Sequence, residues 1–294
     1  MKSCLIIINK SAGGSDRVSF EKVEKCLGSG YEYTRVAIPD SPDPDPSGYD
    51  AIAVCGGDGT LGSVLTKVYD KPAELWYFPS GTLNDRAKAE RYLSAKTECP
   101  TCEDDHKGKK IVVGKCENGI FAYVFATGAF TPIGYTAQIK NKKKHGVLAY
   151  ISQVIKEYKV HRIKAEIKCS DEKEYSGEFA LIMFVKSPRC FGFNFNKDFD
   201  ENGKNGHLLA IRSPKHNGML GKLEMFFPFF RAFFIGLKNE RDGKIIFRRI
   251  EGATITHGEK QDYCRDGERK TLDAGTHTIE FIRTECAFSV IEKF

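Results

Sequence analysis

The chain reads as an α/β N-terminal domain built on an open, mainly parallel sheet, followed by a mainly antiparallel, β-sandwich-like C-terminal domain. Three observations predict this. Four apolar runs in the first 80 residues each end in a polar or glycine-bearing turn, and three of those turns lead into apolar residues at helical spacing. After Arg91 the pattern changes to runs of β-formers interrupted by only two helical stretches. The 294 residues are 41% hydrophobic, enough for one large or two ordinary cores.

The elements follow in order. Leu5-Ile6-Ile7-Ile8 is a continuous apolar run of the kind a buried parallel strand needs, and it ends in Asn9-Lys10-Ser11-Ala12-Gly13-Gly14-Ser15. Phe20, Val23 and Leu27 then mark one face of a helix. Residues 31–38 form the next strand, which runs into a loop whose prolines (Pro39, Pro42, Pro44, Pro46) forbid helix and central strand. Asp50-Ala51-Ile52-Ala53-Val54 is the third strand; Cys55-Gly56-Gly57-Asp58-Gly59-Thr60 is its turn, and Leu61, Val64, Leu65 and Val68 its helix. Leu75-Trp76-Tyr77-Phe78 is the fourth, ending in Pro79-Ser80-Gly81-Thr82-Leu83-Asn84-Asp85 at the start of another helix. A boundary near Lys107-Gly108 separates a domain at 1–108 from one at 109–294. In the second, strands are expected at 111–116, 119–127, 160–169, 178–186, 207–212, 244–247, 253–256 and 276–283, with helices at 146–158 and 220–237.

Three strand ends rich in Gly, Ser, Thr, Asn and Asp converge where open parallel sheets bind ligands. At the third, Gly56, Gly57, Gly59 and Gly62 let backbone approach a ligand, and the helix start favours negative charge, so the turn is a phosphate cradle. Asp58 would repel a phosphate it faced and is read as holding magnesium or a hydroxyl. The plain alternative is a glycine-rich connection without a ligand.

These residues resemble the diacylglycerol kinase-like lipid kinases along almost the whole chain. Residues 7–14 are similar to the family's opening Asn-Pro-x-Ser-Gly turn, with Lys10 where proline is usual; Gly56-Gly57-Asp58-Gly59-Thr60 matches its nucleotide loop; and Pro79-Ser80-Gly81-Thr82-Leu83-Asn84-Asp85 is similar to its Pro-x-Gly-Thr-x-Asn-Asp segment. Residues 128–135, Asn205-Gly206 and Asp266-Gly267-Glu268 fall in the family's order. The resemblance implies ATP in a crevice between a nucleotide-binding and a lipid-substrate domain, held by Asn9, Lys10, Ser11, Ala12 and Gly13, by Gly56 to Gly62 including Leu61, and by Gly81, Thr82, Asn84 and Asp85. It implies Mg²⁺ as second cofactor and Glu268 as general base toward a lipid hydroxyl of diacylglycerol, sphingosine or a related alcohol. Two departures stand out. Where relatives place Asp-Gly in a structural magnesium site this chain has Asn205-Gly206, one charge short, with Asn202 and Asp200 nearby; and Ile38-Pro39 stands where a threonine often follows the second strand, with Ser41 the nearest hydroxyl. The competing readings are a soluble-substrate kinase of the NAD kinase type, which lacks here a Gly-Ser-Thr-Ala-Tyr stretch, and a non-catalytic nucleotide- or lipid-binding module.

No apolar run approaches the ~20 residues that cross a bilayer, and the first residues are too short and polar for a secretory signal, so a cytoplasmic protein with peripheral membrane contact is expected. The net charge of +6 is mild, and the partner expected is a membrane lipid rather than nucleic acid; a homodimer is left open. The ten cysteines are scattered, as reduced buried thiols are. Cys99 and Cys102, with His106 and Cys116 beyond, form half of a zinc-ribbon pattern and are read as structural thiols. Lys140 to His145 is either a headgroup contact or a solvated loop. In the phenylalanine-rich helix, 226, 230, 233 and 234 share a face expected to pack on the core, while Phe227 and Phe229 point elsewhere, toward a lipid path.

Overall fold

The computed structural model describes residues 1–41, 44–94 (91–94 as backbone), 108–117, 119–129 and 159–292. Two compact units divide it: residues 1–111 with 283–294, and residues 112–282. The partition at 108/109 therefore misses a discontinuity, because a late segment returns to the first unit.

In the first unit, strands β1 (Lys2–Asn9), β2 (Tyr31–Ile38), β3 (Ala51–Gly56), β4 (Glu74–Pro79) and the end of β16 (Gly275–Val290) form a parallel sheet in the order β16-β4-β3-β1-β2. Every residue of β3 is buried, as its unbroken apolar run requires, whereas the edge strand β2 is partly exposed throughout. Helix α1 (Phe20–Leu27) starts where the Ser19 side chain accepts from the Lys22 amide at 3.3 Å and stops at Gly28, whose φ of +84° takes the chain out of the helix. Helices α2 (Asp58–Val68) and α3 (Asp85–Ser94) begin directly after β3 and β4. The carboxyl ends of β1, β3 and β4 thus carry the three polar turns singled out in the sequence.

In the second unit the sheet runs β11 (Arg241–Asp242), β12 (Ile245–Ile250), β10 (Gly206–Arg212), β9 (Glu174–Val185), β8 (Ile163–Cys169), β13 (Gly252–His257) and the first part of β16, all antiparallel. Period-two alternation along β9 sends Ile182 and Phe184 into one core and Leu181, Met183 and Val185 into another. The second core is closed by Met225 and Phe229 of α4 (Gly218–Phe230) and by Ala232 and Phe233 of the π-helical turn that follows at Arg231–Ile235.

Three expectations change. The strand read at 119–127 is two, β6 (Gly119–Phe121) and β7 (Val124–Gly128), interrupted at Ala122-Tyr123 because those amides point at a carboxylate instead of a neighbouring strand. The strands β14 (Gln261–Arg265) and β15 (Glu268–Leu272), which pair as a hairpin, were not in the expected set, since their charged residues show little apolar alternation. And of the phenylalanines expected to share a core face, only Phe233 is buried; Phe226, Phe230 and Phe234 are exposed with Phe227, while Phe229 is inside. At regular helical spacing Phe226, Phe230 and Phe234 do share a face, each stacked on the next, but the face turned to the core is the neighbouring one with Met225, Phe229 and Ala232; Pro228 lacks the N–H that would bond the Glu224 carbonyl, which accepts from Lys244 Nζ at 3.3 Å instead. The expectations at residues 97–107 (with Cys99, Cys102 and His106), 130–135, 140–145 and 146–158 lie outside the described residues.

Candidate functional site

The three turns of the first unit interlock through backbone and short polar side chains. Asn9, at the end of β1, donates from Nδ2 to Thr60 Oγ1 at 2.8 Å and accepts from the Ser11 amide at 2.9 Å, so one side chain folds its own loop and ties it to α2. The Gly14 amide reaches the Ser80 carbonyl at 2.8 Å, and the Ser80 amide reaches the Gly56 carbonyl at 2.8 Å. Gly57 and Gly81 meet back to back: a Cβ on Gly81 would lie 2.5 Å from the Gly57 Cα and 2.6 Å from Asn84 Oδ1. A Cβ on Gly13 would press on Thr82 Oγ1 at 2.9 Å. Glycine is required at these points because two turns occupy the space of one.

Of the residues expected to bind nucleotide, Asn9, Gly13, Gly56, Gly57, Thr60, Gly81, Thr82 and Asn84 come together here. Gly59, Leu61 and Gly62 are buried in α2, where they shape the turn from beneath. Lys10 bonds the Ile38 carbonyl through its amide at 2.9 Å and Asp40 through Nζ at 2.6 Å, so its ammonium is engaged at the cis Ile38-Pro39 corner; Ala12 is buried and Ser11 exposed. Asn84 holds φ of +49° and donates from Nδ2 to the Gly81 carbonyl at 2.9 Å. Among the described residues its Oδ1 and the buried Ser80 hydroxyl have no hydrogen-bond partner, two polar atoms left over in a glycine-lined cradle. The N-terminus of α2 has no side-chain cap. Uncapped helix start, close-packed glycines and spare polar atoms suit phosphate oxygens, so a nucleotide fits.

Asp58, read from the sequence as holding magnesium or a hydroxyl, faces backbone donors in the structure. It is buried, and its carboxylate accepts from the amides of Asp85 at 2.8 Å and Arg86 at 3.2 Å, with the Tyr77 hydroxyl at 3.4 Å. An anion from one turn thus caps the helix that starts at another, where the helix dipole favours negative charge. Asp85 is fully buried at that cap. Behind it Arg86 pairs with Glu90, which also meets Lys109 at 2.6 Å; burial alone would raise the Glu90 pKa, but the two cations hold it below the usual carboxylate range. Among the described residues no cluster of three or more His, Cys, Asp or Glu is arranged to hold a metal.

In the second unit, Asp266 and Gly267, with φ of +49° and +90°, form the two-residue turn between β14 and β15. The Asp266 carboxylate is buried and accepts from the amides of Ala122, Tyr123 (3.0 Å) and Val124 (3.0 Å), a role that no local pattern announces. Burial pushes its pKa up, to about 7, against those three donors. The clamp fixes the turn, and Glu268 stands next to it at the start of β15, partly exposed, with Lys270 Nζ at 3.4 Å. Asn205 contributes its carbonyl, not a metal-binding side chain, to a contact with Lys186. Cys116, the described member of the half zinc pattern, is a buried thiol bonded to the Gly119 carbonyl at 3.3 Å.

The same unit carries an unusual apolar surface. Met219, Leu220, Leu223, Phe226, Phe227, Phe230, Phe234 and Ile235 are all exposed on α4 and its π turn. Beside them a cavity of about 650 Å³ is lined by Leu220, Leu223, Phe227 and Pro228, with Arg231 and Lys244 at hand. No helix among the described residues is long and apolar enough to cross a membrane.

Comparison with known proteins agrees with the resemblance. Residues 3–116 match the family model of the diacylglycerol kinase catalytic domain. A Streptococcus pneumoniae protein provisionally named a lipid kinase is 27% identical over 228 residues, 72% of this chain and 74% of that protein. A diacylglycerol kinase of Staphylococcus epidermidis is 27% identical over 206 residues, 65% of this chain and 64% of that protein, so the alignment spans just under two thirds of it. Among solved structures, a Bacillus anthracis protein provisionally named a diacylglycerol kinase superposes with a TM-score of 0.69 at 17% identity, covering 98% of this chain and 96% of that one; at that identity the likeness is one of fold.

Proposed function

We propose that this chain, whose residues 3–116 match the model of the diacylglycerol kinase catalytic domain, transfers the γ-phosphoryl group of ATP to the hydroxyl of a membrane lipid, diacylglycerol or a related alcohol. The observation that carries the reading is the interlocked glycine cradle at the ends of β1, β3 and β4. Phosphoryl transfer asks a protein mainly for positioning and charge neutralisation, and a cradle of amides, glycines and short polar side chains supplies both for the nucleotide phosphates. Magnesium would travel with the nucleotide.

Glu268 is the general base of the proposal. Its carboxylate takes the proton of the acceptor hydroxyl while the lipid oxygen bonds to the γ-phosphorus and the bond to the ADP oxygen breaks. Asp266 acts through it, by clamping the turn that presents it. The exposed apolar face of α4 enters the surface of the bilayer, and the adjoining basic side chains meet headgroup phosphates, which makes the membrane contact peripheral.

The test is radiolabelled ATP-Mg²⁺ turnover against a total lipid extract in mixed micelles, with Glu268→Gln run beside it. Label entering the organic phase only with the unmodified protein, at unchanged ATP affinity for the variant, supports the reading. Label confined to a soluble acceptor moves the chain to the NAD kinase type of chemistry. ATP binding without transfer to any acceptor leaves a nucleotide-binding module.

A further inference from the structure

Lys186 follows β9 directly and its side chain is sealed in the protein, 2% exposed. Its ammonium donates to three backbone carbonyls of one loop: Asp200 at 2.8 Å, Gly203 at 2.7 Å and Asn205 at 2.8 Å. The Phe199 ring closes over it, 5.2 Å from Nζ to the ring centre. The loop is wound tightly. Asp200 Oδ1 accepts the Asn202 amide at 3.0 Å, and a Cβ on Gly203 would lie 2.7 Å from Asp200 Oδ2. The neighbouring carboxylate, Asp198, is engaged by Arg249 at 3.0 Å and His207 at 3.2 Å.

Three convergent carbonyl oxygens are the ligand set of a hard cation. Here they are already aimed at a nitrogen with three N–H bonds to give. A divalent ion on the same oxygens would sit ~2 Å from each of them, inside the space of the ammonium, and would face its charge in a low-dielectric interior. The structural magnesium ion that the family resemblance implies at Asn205-Gly206 therefore does not fit this loop. We propose that Lys186 is a tethered cation that takes the place of that ion, and that it explains the asparagine at position 205. Magnesium with one aspartate leaves a local charge of +1; a lysine with an asparagine leaves the same charge. The exchange of Asp for Asn is thus the second half of a paired replacement. Its consequence is that the second unit folds without divalent ions. This holds independently of the lipid substrate, because the loop is described without reference to any ligand.

The experiment is thermal unfolding of the full chain without nucleotide, in EDTA and in millimolar MgCl₂ or MnCl₂, alongside Mn²⁺ binding followed by electron paramagnetic resonance. The unmodified protein is expected to melt at the same temperature in all three, within about 1 °C, and to show no tight nucleotide-independent Mn²⁺ site. A saturable, EDTA-reversible rise in melting temperature overturns the proposal. Lys186→Met keeps the stem but takes the donor from three half-buried carbonyl contacts, and should melt roughly 5 °C or more lower, with no recovery in Mg²⁺. Lys186→Ala combined with Asn205→Asp should recover stability in Mg²⁺ and bind Mn²⁺; a folded double variant indifferent to both metals also overturns it. Should neither variant fold, the unmodified protein's response to EDTA and Mg²⁺ still decides.

Discussion

Each unit closes a polar loop on a buried charge, and the Asp58 loop of the first and the Lys186 loop of the second do so with opposite signs. In the first, the Asp58 carboxylate gathers backbone amides at the head of α3. In the second, the Lys186 ammonium gathers backbone carbonyls from residues 200–205. The Asp58 carboxylate is spent on the amides of α3, which leaves the uncapped start of α2 as the place where amides can meet phosphate. An ammonium ringed by carbonyls satisfies both partners and offers nothing further to a ligand. The first arrangement leaves polar turns able to take a ligand; the second makes a clasp.

The strongest way to break this contrast is to fill the cradle. Gly81→Ala puts a Cβ 2.5 Å from the Gly57 Cα, and nucleotide binding and turnover should fall on the order of 100-fold. Gly258→Ala, where nothing lies within 4 Å, should change neither. Calorimetric titration with ATP and the label-transfer assay give the two numbers.

Next comes the apolar face of the second unit. Phe227→Ser with Leu223→Ser removes two exposed apolar side chains of α4, so vesicle partitioning by sedimentation should weaken roughly tenfold or more while the melting temperature stays put. Loss of stability instead would show that the face packs on part of the protein.

Asp58→Asn tests the amide-gathering charge itself. The neutral amide still accepts from one α3 N–H, but turns a donor toward the other, and a destabilisation of about 1–3 kcal/mol with weaker nucleotide binding is expected in denaturant titrations. Unchanged stability would return Asp58 to a ligand-facing role.

The smallest effect concerns Glu90. Its pKa is lower folded than unfolded, so it contributes stability above about pH 4.5, the ordinary Glu value, and that contribution disappears as pH falls through the folded value. Melting curves of Glu90→Gln and the unmodified protein should therefore differ at neutral pH and converge in acid.

The same contrast explains what could be read from the sequence. The first unit's strands and turns were legible because glycine, Asn and Asp fall at strand ends, a local pattern with a local cause. Asp58 was visible but its role was not, since its partners are amides 27 and 28 residues away, and an amide has no residue signature. Lys186 was invisible for the same reason: three carbonyls can come from any residue types. Asp266 belonged to a recognised motif, yet its clamp on 122–124 reaches back across more than a hundred residues. The phenylalanine helix was misread in direction: Phe226, Phe230 and Phe234 do share a face, but the inward face is the one that carries Met225, Phe229 and Ala232, and both faces are apolar enough for the core.

One further consequence follows from β16. Residues 287–290 of this strand lie beside β4 in the first unit's sheet. A ribosome that has just released β4 has still to make the whole second unit before that neighbour exists, on the order of 10 to 40 s at ordinary elongation rates. During synthesis one flank of β4 waits unpaired, and the second unit, complete in itself by residue 282, is the part able to fold first. The first unit's sheet is thus completed last, and a shortened product lacking 283–294 would leave it with an open apolar edge for which a chaperone, or another nascent chain, would compete.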